Sequence, residues 1–125
     1  MITLQQYFRE FEKTKDQENN AQVLLDRVNV LLDDAVKYGV IKNPVISGSQ
    51  YGGFRPKDCP IGAPQSAHKL AMAVDIADPQ NTLDGWLDDA KLLKYNLCRE
   101  HPDYTKTWVH LSTKMPKSGK LTFIP

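Results

Sequence analysis

The sequence predicts an α+β domain, a small antiparallel sheet covered by helices. Three observations carry this: a long segment with apolar residues at helical spacing, a second and shorter helical stripe, and two stretches that alternate apolar and polar residues. In the first segment Val23, Leu24, Leu25, Val28, Leu31, Leu32, Ala35 and Val36 recur at three- and four-residue intervals, with Asp26, Arg27, Asp33, Asp34 and Lys37 between them. The spacing predicts an amphipathic helix over about residues 20–38, with Asn19 or Asn20 as its cap and Gly39 at its end. Ahead of it, residues 4–11 read as a short helical turn behind Thr3, and the polar residues 13–20 as a connector.

Residues 43–65 hold Pro44, Pro56, Pro60 and Pro64 with Gly48, Gly52, Gly53 and Gly62, a density that neither a helix nor a central strand tolerates. A loop of this length in a compact domain is often functional. Residues 72–77 then alternate, sending Met72, Val74 and Ile76 to one face and Ala73, Asp75 and Ala77 to the other. Asn81 or Thr82 caps a second predicted helix over residues 83–94, whose buried stripe is Leu83, Trp86, Leu87, Ala90 and Leu92 or Leu93. Two last extended pieces are expected over about 95–100 and 107–113, joined by a turn at His101, Pro102 and Asp103.

With 125 residues, 41% of them apolar, the chain can build one core and not two, so it is read as a single domain over residues 1–125. Its helical cover occupies about 1–40 and its core about 41–125. Sixteen basic against fifteen acidic residues leave a formal charge of +1 without a basic block, which speaks against a nucleic-acid or membrane-surface partner. No run of 18 apolar residues exists and residues 1–10 lack a signal-peptide pattern, so no membrane span is expected and the chain is expected to be made in the cytosol. Cys59 and Cys98 lie far apart in no CxxC spacing and read as free thiols.

Chemistry is concentrated in few residues. Only three histidines occur. His68 and Asp75 stand seven residues apart, about 10 Å on a helix and more than 20 Å on a straight strand, so they can share one ion only if the chain reverses between Lys69 and Met72. In the stretch Trp108–Ser112 the alternation sends Val109 and Leu111 one way and Trp108, His110 and Ser112 the other, aiming His110 into a cleft. Two imidazoles and a carboxylate form a donor set typical of catalytic zinc, in which three protein ligands leave one position open. The same residues also admit a plainer reading, with each His a hydrogen-bonded structural residue and Asp75 paired with a Lys or capping a turn. Cys59 with His68 and His110 would make a different, thiolate site. His101, ahead of Pro102, reads as a turn residue, Trp86 as core, and Trp108 as either packing or a wall of the cleft.

The stretch Ser66-Ala67-His68-Lys69-Leu70-Ala71-Met72-Ala73-Val74-Asp75, followed by Trp108-Val109-His110, resembles the zinc D-Ala-D-Ala carboxypeptidase family. Those cell-wall metallopeptidases share their fold with the hedgehog signalling domain, and their pattern is Ser-x-His-x-x-Gly-x-Ala-x-Asp with a later Trp-x-His. The chain is most similar to small bacteriophage and prophage members, which also tend to carry Gly-Phe-Arg-Pro, here Gly53-Phe54-Arg55-Pro56. The resemblance covers roughly residues 21–125. It implies a hedgehog/DD-peptidase-like fold and a Zn2+ ion held by His68, Asp75 and His110. The implied activity is hydrolysis of peptidoglycan stem peptides by a D-Ala-D-Ala carboxypeptidase or endopeptidase, acting as a monomer that waits in the cytoplasm until lysis or travels with the virion. The other reading is a phage structural or binding module that keeps the zinc site without catalysis.

One position departs from the pattern: Ala71 stands where the family has Gly, and if that position needs positive φ the reversal is strained. The resemblance also implies a general base shortly before the last His. Thr107 stands three residues before His110, so the commonest short spacing is not met, and the acids available are Glu100 and Asp103. Glu100 is favoured, because it ends an extended segment that can pair with the strand of His110. Arg55 is the implied electrophilic partner, a permanently charged, bidentate group for the substrate carbonyl or terminal carboxylate; its plainer role is to order the loop.

Overall fold

A computed structural model describes residues 1–48, 51–63 and 66–125, and shows a small α+β domain with a four-stranded mixed sheet. Pro64 of the proline- and glycine-rich stretch lies outside the described residues. The chain opens with α1 (Leu4–Phe8), started by Thr3 as its sequence suggests: the Thr3 hydroxyl accepts from the Gln6 amide, and the Gln6 side chain accepts in return from the Thr3 amide. The long helix α2 (Lys15–Lys37) begins five residues earlier than predicted. Residues 13–20 are therefore not a connector, and neither Asn19 nor Asn20 is the cap. Thr14 and Gln17 form a second capping box, and Asp16 and Glu18 place negative charge on the first turn, where the helix dipole favours it. Asn20 is inside the helix and donates its side-chain amide to the Leu70 carbonyl. At the other end Gly39 takes the left-handed conformation expected of it.

The buried stripe of α2 is Ala21, Leu24, Leu25, Val28, Leu31, Leu32 and Ala35, while Val23 and Val36 lie on its exposed flank. This stripe packs on one face of the sheet through Val74, Ile76, Val109 and Leu111. Strand β1 (Ala73–Ala77) pairs antiparallel with the strand Trp108–Ser112, Asp75 standing opposite His110. Between them come α3 (Thr82–Trp86), α4 (Asp89–Tyr95) and β2 (Cys98–Glu100). The single helix predicted over 83–94 is thus two: Leu87 is extended and Asp88 starts the chain afresh, its carboxylate accepting from the Lys91 amide. Asn81 sits at the start of α3 in the left-handed region without a side-chain cap; the buried Asp78 carboxylate takes that part, accepting from the Leu83 and Asp84 amides. The extended piece predicted over 95–100 is strand only in its last three residues, because Tyr95 ends α4 and Asn96 is left-handed.

The strand Trp108–Ser112 is β3, and a two-residue strand β4 (Thr122–Phe123) completes the order β1-β3-β2-β4. Strand β4 runs parallel to β2, so the sheet is mixed and not wholly antiparallel. The proline- and glycine-rich stretch lies along the other edge: Ile46 bridges to Ile76, the Ala77 amide donates to the Val45 carbonyl, and the Asp75 amide donates to the Gly52 carbonyl. Cys59 and Cys98 are buried and free, as expected. Among the described residues no helix is long and apolar enough to cross a membrane.

Candidate metal centre

The reversal that His68 and Asp75 require is present. Residues 66–72 form a tight turn in which the Leu70 amide donates to the Ser66 carbonyl and the Met72 amide to the Ala67 carbonyl, and Ala71 closes it at φ +59°. The positive φ falls at the position where the sequence departs from Gly. The turn delivers His68 to the face of the sheet opposite the helices, where Asp75 and His110 project from neighbouring strands.

The three side chains meet there. His68 Nε2 lies 3.3 Å and His110 Nδ1 2.9 Å from Asp75 Oδ1, and the donor atoms of all three residues fall within 4.8 Å of one another. Tetrahedral zinc, with bonds of about 2.0–2.2 Å, sets its ligand atoms about 3.4 Å apart, so these spacings suit a single ion. The His68 tautomer suits it as well: Nδ1–H donates to the Gly53 carbonyl at 2.8 Å, which leaves the Nε2 lone pair facing the cluster. Both His contacts to Asp75 pair an imidazole nitrogen with a carboxylate oxygen, and the proton that a protonated imidazole shares across such a contact is what a metal ion displaces. Burial pulls the Asp75 carboxyl upward, but hydrogen bonds from His110 and His68, with their charge, outweigh it and hold the group at about 2. Asp75 is thus kept as an anion. Among the described residues His68, Asp75 and His110 can hold a metal ion, and Cys59 stands outside the group, which removes the thiolate alternative.

These donors line a cleft of about 670 Å³ together with Arg55, Glu100 and Trp108. Glu100 reaches it because β2 pairs with β3 as Cys98 opposite Ser112, which puts residues 98 and 100 on the face that carries His110. Asp103 does not line it: it lies exposed in the 3-10 turn Pro102–Tyr104, where its amide donates to His101 Nδ1. Arg55 orders the loop and reaches the candidate metal centre. Its Nε donates to the Tyr51 carbonyl at 2.8 Å, ordering the loop, while Nη2 lies 3.7 Å from Asp75 Oδ2 at the metal centre. Trp86 is half-buried against the core, its ring near Tyr38 and under the Lys91 ammonium, whereas Trp108 walls the cleft.

Comparison of the chain with protein-family models, curated proteins and solved structures found no match in any of the three. The centre therefore stands on its geometry and on the motif. Three of its parts had no signal in the sequence. The Gly53 carbonyl is backbone, Phe123 meets the His110 ring edge-on at 6.0 Å from a strand too short to show alternation, and Lys114, Met115 and Lys117 come to the rim on the loop between β3 and β4.

Proposed function

We propose that the chain is a zinc-dependent peptidase of the hedgehog/DD-peptidase fold that hydrolyses peptide bonds of bacterial peptidoglycan, as a D-Ala-D-Ala carboxypeptidase or endopeptidase. One observation carries the proposal: the His68, Asp75 and His110 donors converge in a cleft that Glu100 and Arg55 also line. The motif resemblance supports zinc as the ion and stem peptides as the substrate, and the cleft volume suits a short peptide. Zinc bound there supplies Lewis acidity toward the scissile carbonyl and a nucleophile potent at neutral pH. Glu100 takes the proton of the attacking group and returns it to the leaving amine, the work of a general base that becomes a general acid. Arg55 offers its guanidinium N–H groups to the carbonyl oxygen as negative charge develops, or to a terminal carboxylate. Its tether to the Tyr51 carbonyl holds the group in place before substrate arrives.

The test is to incubate zinc-loaded protein with defined muropeptides and identify the products by mass. Cleavage by wild type is expected, and Glu100→Ala should lose it by a factor of about 100 or more while zinc stays bound. Equal product release by variant and wild type would remove Glu100 from the mechanism. Wild-type protein that holds zinc and turns over no muropeptide at any pH would replace the peptidase with the non-catalytic phage module.

A further inference from the structure

Four hydrogen bonds make residues 52–55 the frame of the metal centre. The Gly52 carbonyl accepts from the Asp75 amide at 2.7 Å, the Gly53 carbonyl from the His68 ring at 2.8 Å, the Arg55 amide donates to the His68 carbonyl at 3.2 Å, and the Arg55 side chain is tied to Tyr51. This frame lies in a stretch with no regular structure of its own, so something else must hold it. The N-terminal helix does. The Phe54 amide donates to the Tyr7 carbonyl at 3.1 Å, and the Phe54 ring is clasped by Phe8 at 5.0 Å and Phe11 at 6.3 Å. The approach is so close that a Cβ on Gly53 would meet the Tyr7 carbonyl oxygen at 2.7 Å. From the same residue the Tyr7 hydroxyl, fully buried, donates to the Ala73 carbonyl at 2.8 Å, two residues before Asp75. Tyr7 thus joins the backbone that orients His68 to the strand that carries Asp75. The helix that bears it is itself fastened to α2, since both backbone groups of Ile2 are bonded by the Asn29 side chain.

We propose that α1 is a clamp on the metal centre and that Tyr7 is its positioning residue, setting metal affinity without touching the ion. The proposal rests on the metal-centre part of the reading above and not on peptidase activity. Outer groups that orient metal ligands typically change affinity by 10- to 100-fold when removed.

The experiment compares Tyr7→Phe with Tyr95→Phe in the full chain. Tyr95 is a matched control, because its hydroxyl donates to Asp34 at 2.6 Å in a partly buried bond and neither residue lines the cleft. Zinc affinity is measured by competition with a chromophoric chelator, and the His68 ring nitrogens are followed by NMR in the metal-free protein. Tyr7→Phe should weaken zinc binding about tenfold and release the His68 ring from its single Nδ1–H tautomer, whereas Tyr95→Phe should leave both unchanged. If Tyr7→Phe does not fold, Phe54→Leu loosens the same clasp and should move both readouts the same way. A foldable clamp variant with wild-type zinc affinity and an unchanged His68 ring would overturn the proposal. Wild-type protein that binds no zinc would end it too, while zinc binding without peptide cleavage would end only the peptidase.

Discussion

Ala71 holds a backbone conformation that its own side chain resists, at φ +59° with the methyl fully buried. The left-handed conformation costs an L-residue roughly 1–2 kcal/mol. Glycine would escape that cost, but it would lose a buried methyl worth about 0.8 kcal/mol and the smaller unfolded-state entropy of alanine, about 0.4–1 kcal/mol. The terms nearly cancel, so Ala71→Gly should change stability by less than about 1 kcal/mol in urea denaturation. Ala71→Val, β-branched at positive φ in a filled site, should lose about 3 kcal/mol or more by the same measurement. The near-balance explains how the chain keeps the turn without the glycine of the motif. That this position matters was legible in the spacing from His68 to Asp75; the φ itself was not, because it depends on how the turn closes.

At the scale of elements, the start of α2 shows local chemistry outranking the apolar pattern. The periodicity begins in earnest at residue 23, yet Thr14 and Gln17 begin the helix two turns earlier by satisfying each other's backbone amides. The pair was present in the sequence as Thr-x-x-Gln and is the signal that the stripe of leucines obscured. Thr14→Ala should destabilise the protein by about 1 kcal/mol and fray the first turn, seen as a lower urea midpoint with a small loss of helical circular dichroism. The split between α3 and α4 follows the same logic in reverse. Leu83, Leu87 and Leu92 are buried on either side of the break while Ala90 is exposed and leaves the predicted stripe, because Asp78 and Asp88 each cap their own short helix, and two caps require two starts. Strand β4, two residues long, has no period to detect and exists because Arg99 and His101 donate their amides to Leu121 and Phe123.

For the molecule as a whole, two buried carboxylates shape the dependence of metal-free stability on pH. Asp75, held at about 2 in the folded chain, adds stability that is present above pH 4 and is lost as pH falls toward 2, about 2 kcal/mol in all. Asp84 acts oppositely. Burial, joined by the nearby Asp78 charge and with Oδ2 lacking a hydrogen-bond partner among the described residues, outweighs the Arg99 guanidinium and lifts it to about 6. The folded state then binds a proton that the unfolded state has released, and stability falls by up to about 3 kcal/mol as pH rises from 4 to 6. Chemical denaturation of the metal-free protein should therefore show greatest stability near pH 4. Asp75→Asn should flatten the acid limb and Asp84→Asn the limb above pH 4; a curve unchanged by both would refute the assignment.

The sequence by itself determined the α+β class and the alternation that sends His110 away from the core, because the apolar period is a property of residues close along the chain, and its motif singled out His68, Asp75 and His110 as candidate donors. Only the tertiary structure decided that the donors meet. Asp75 and His110 are brought opposite each other by the register of β1 on β3 across 35 residues, and His68 is turned by a carbonyl that α1 holds from the far end of the chain. Contacts of that kind are made by backbone groups every residue possesses, so no residue type announces them.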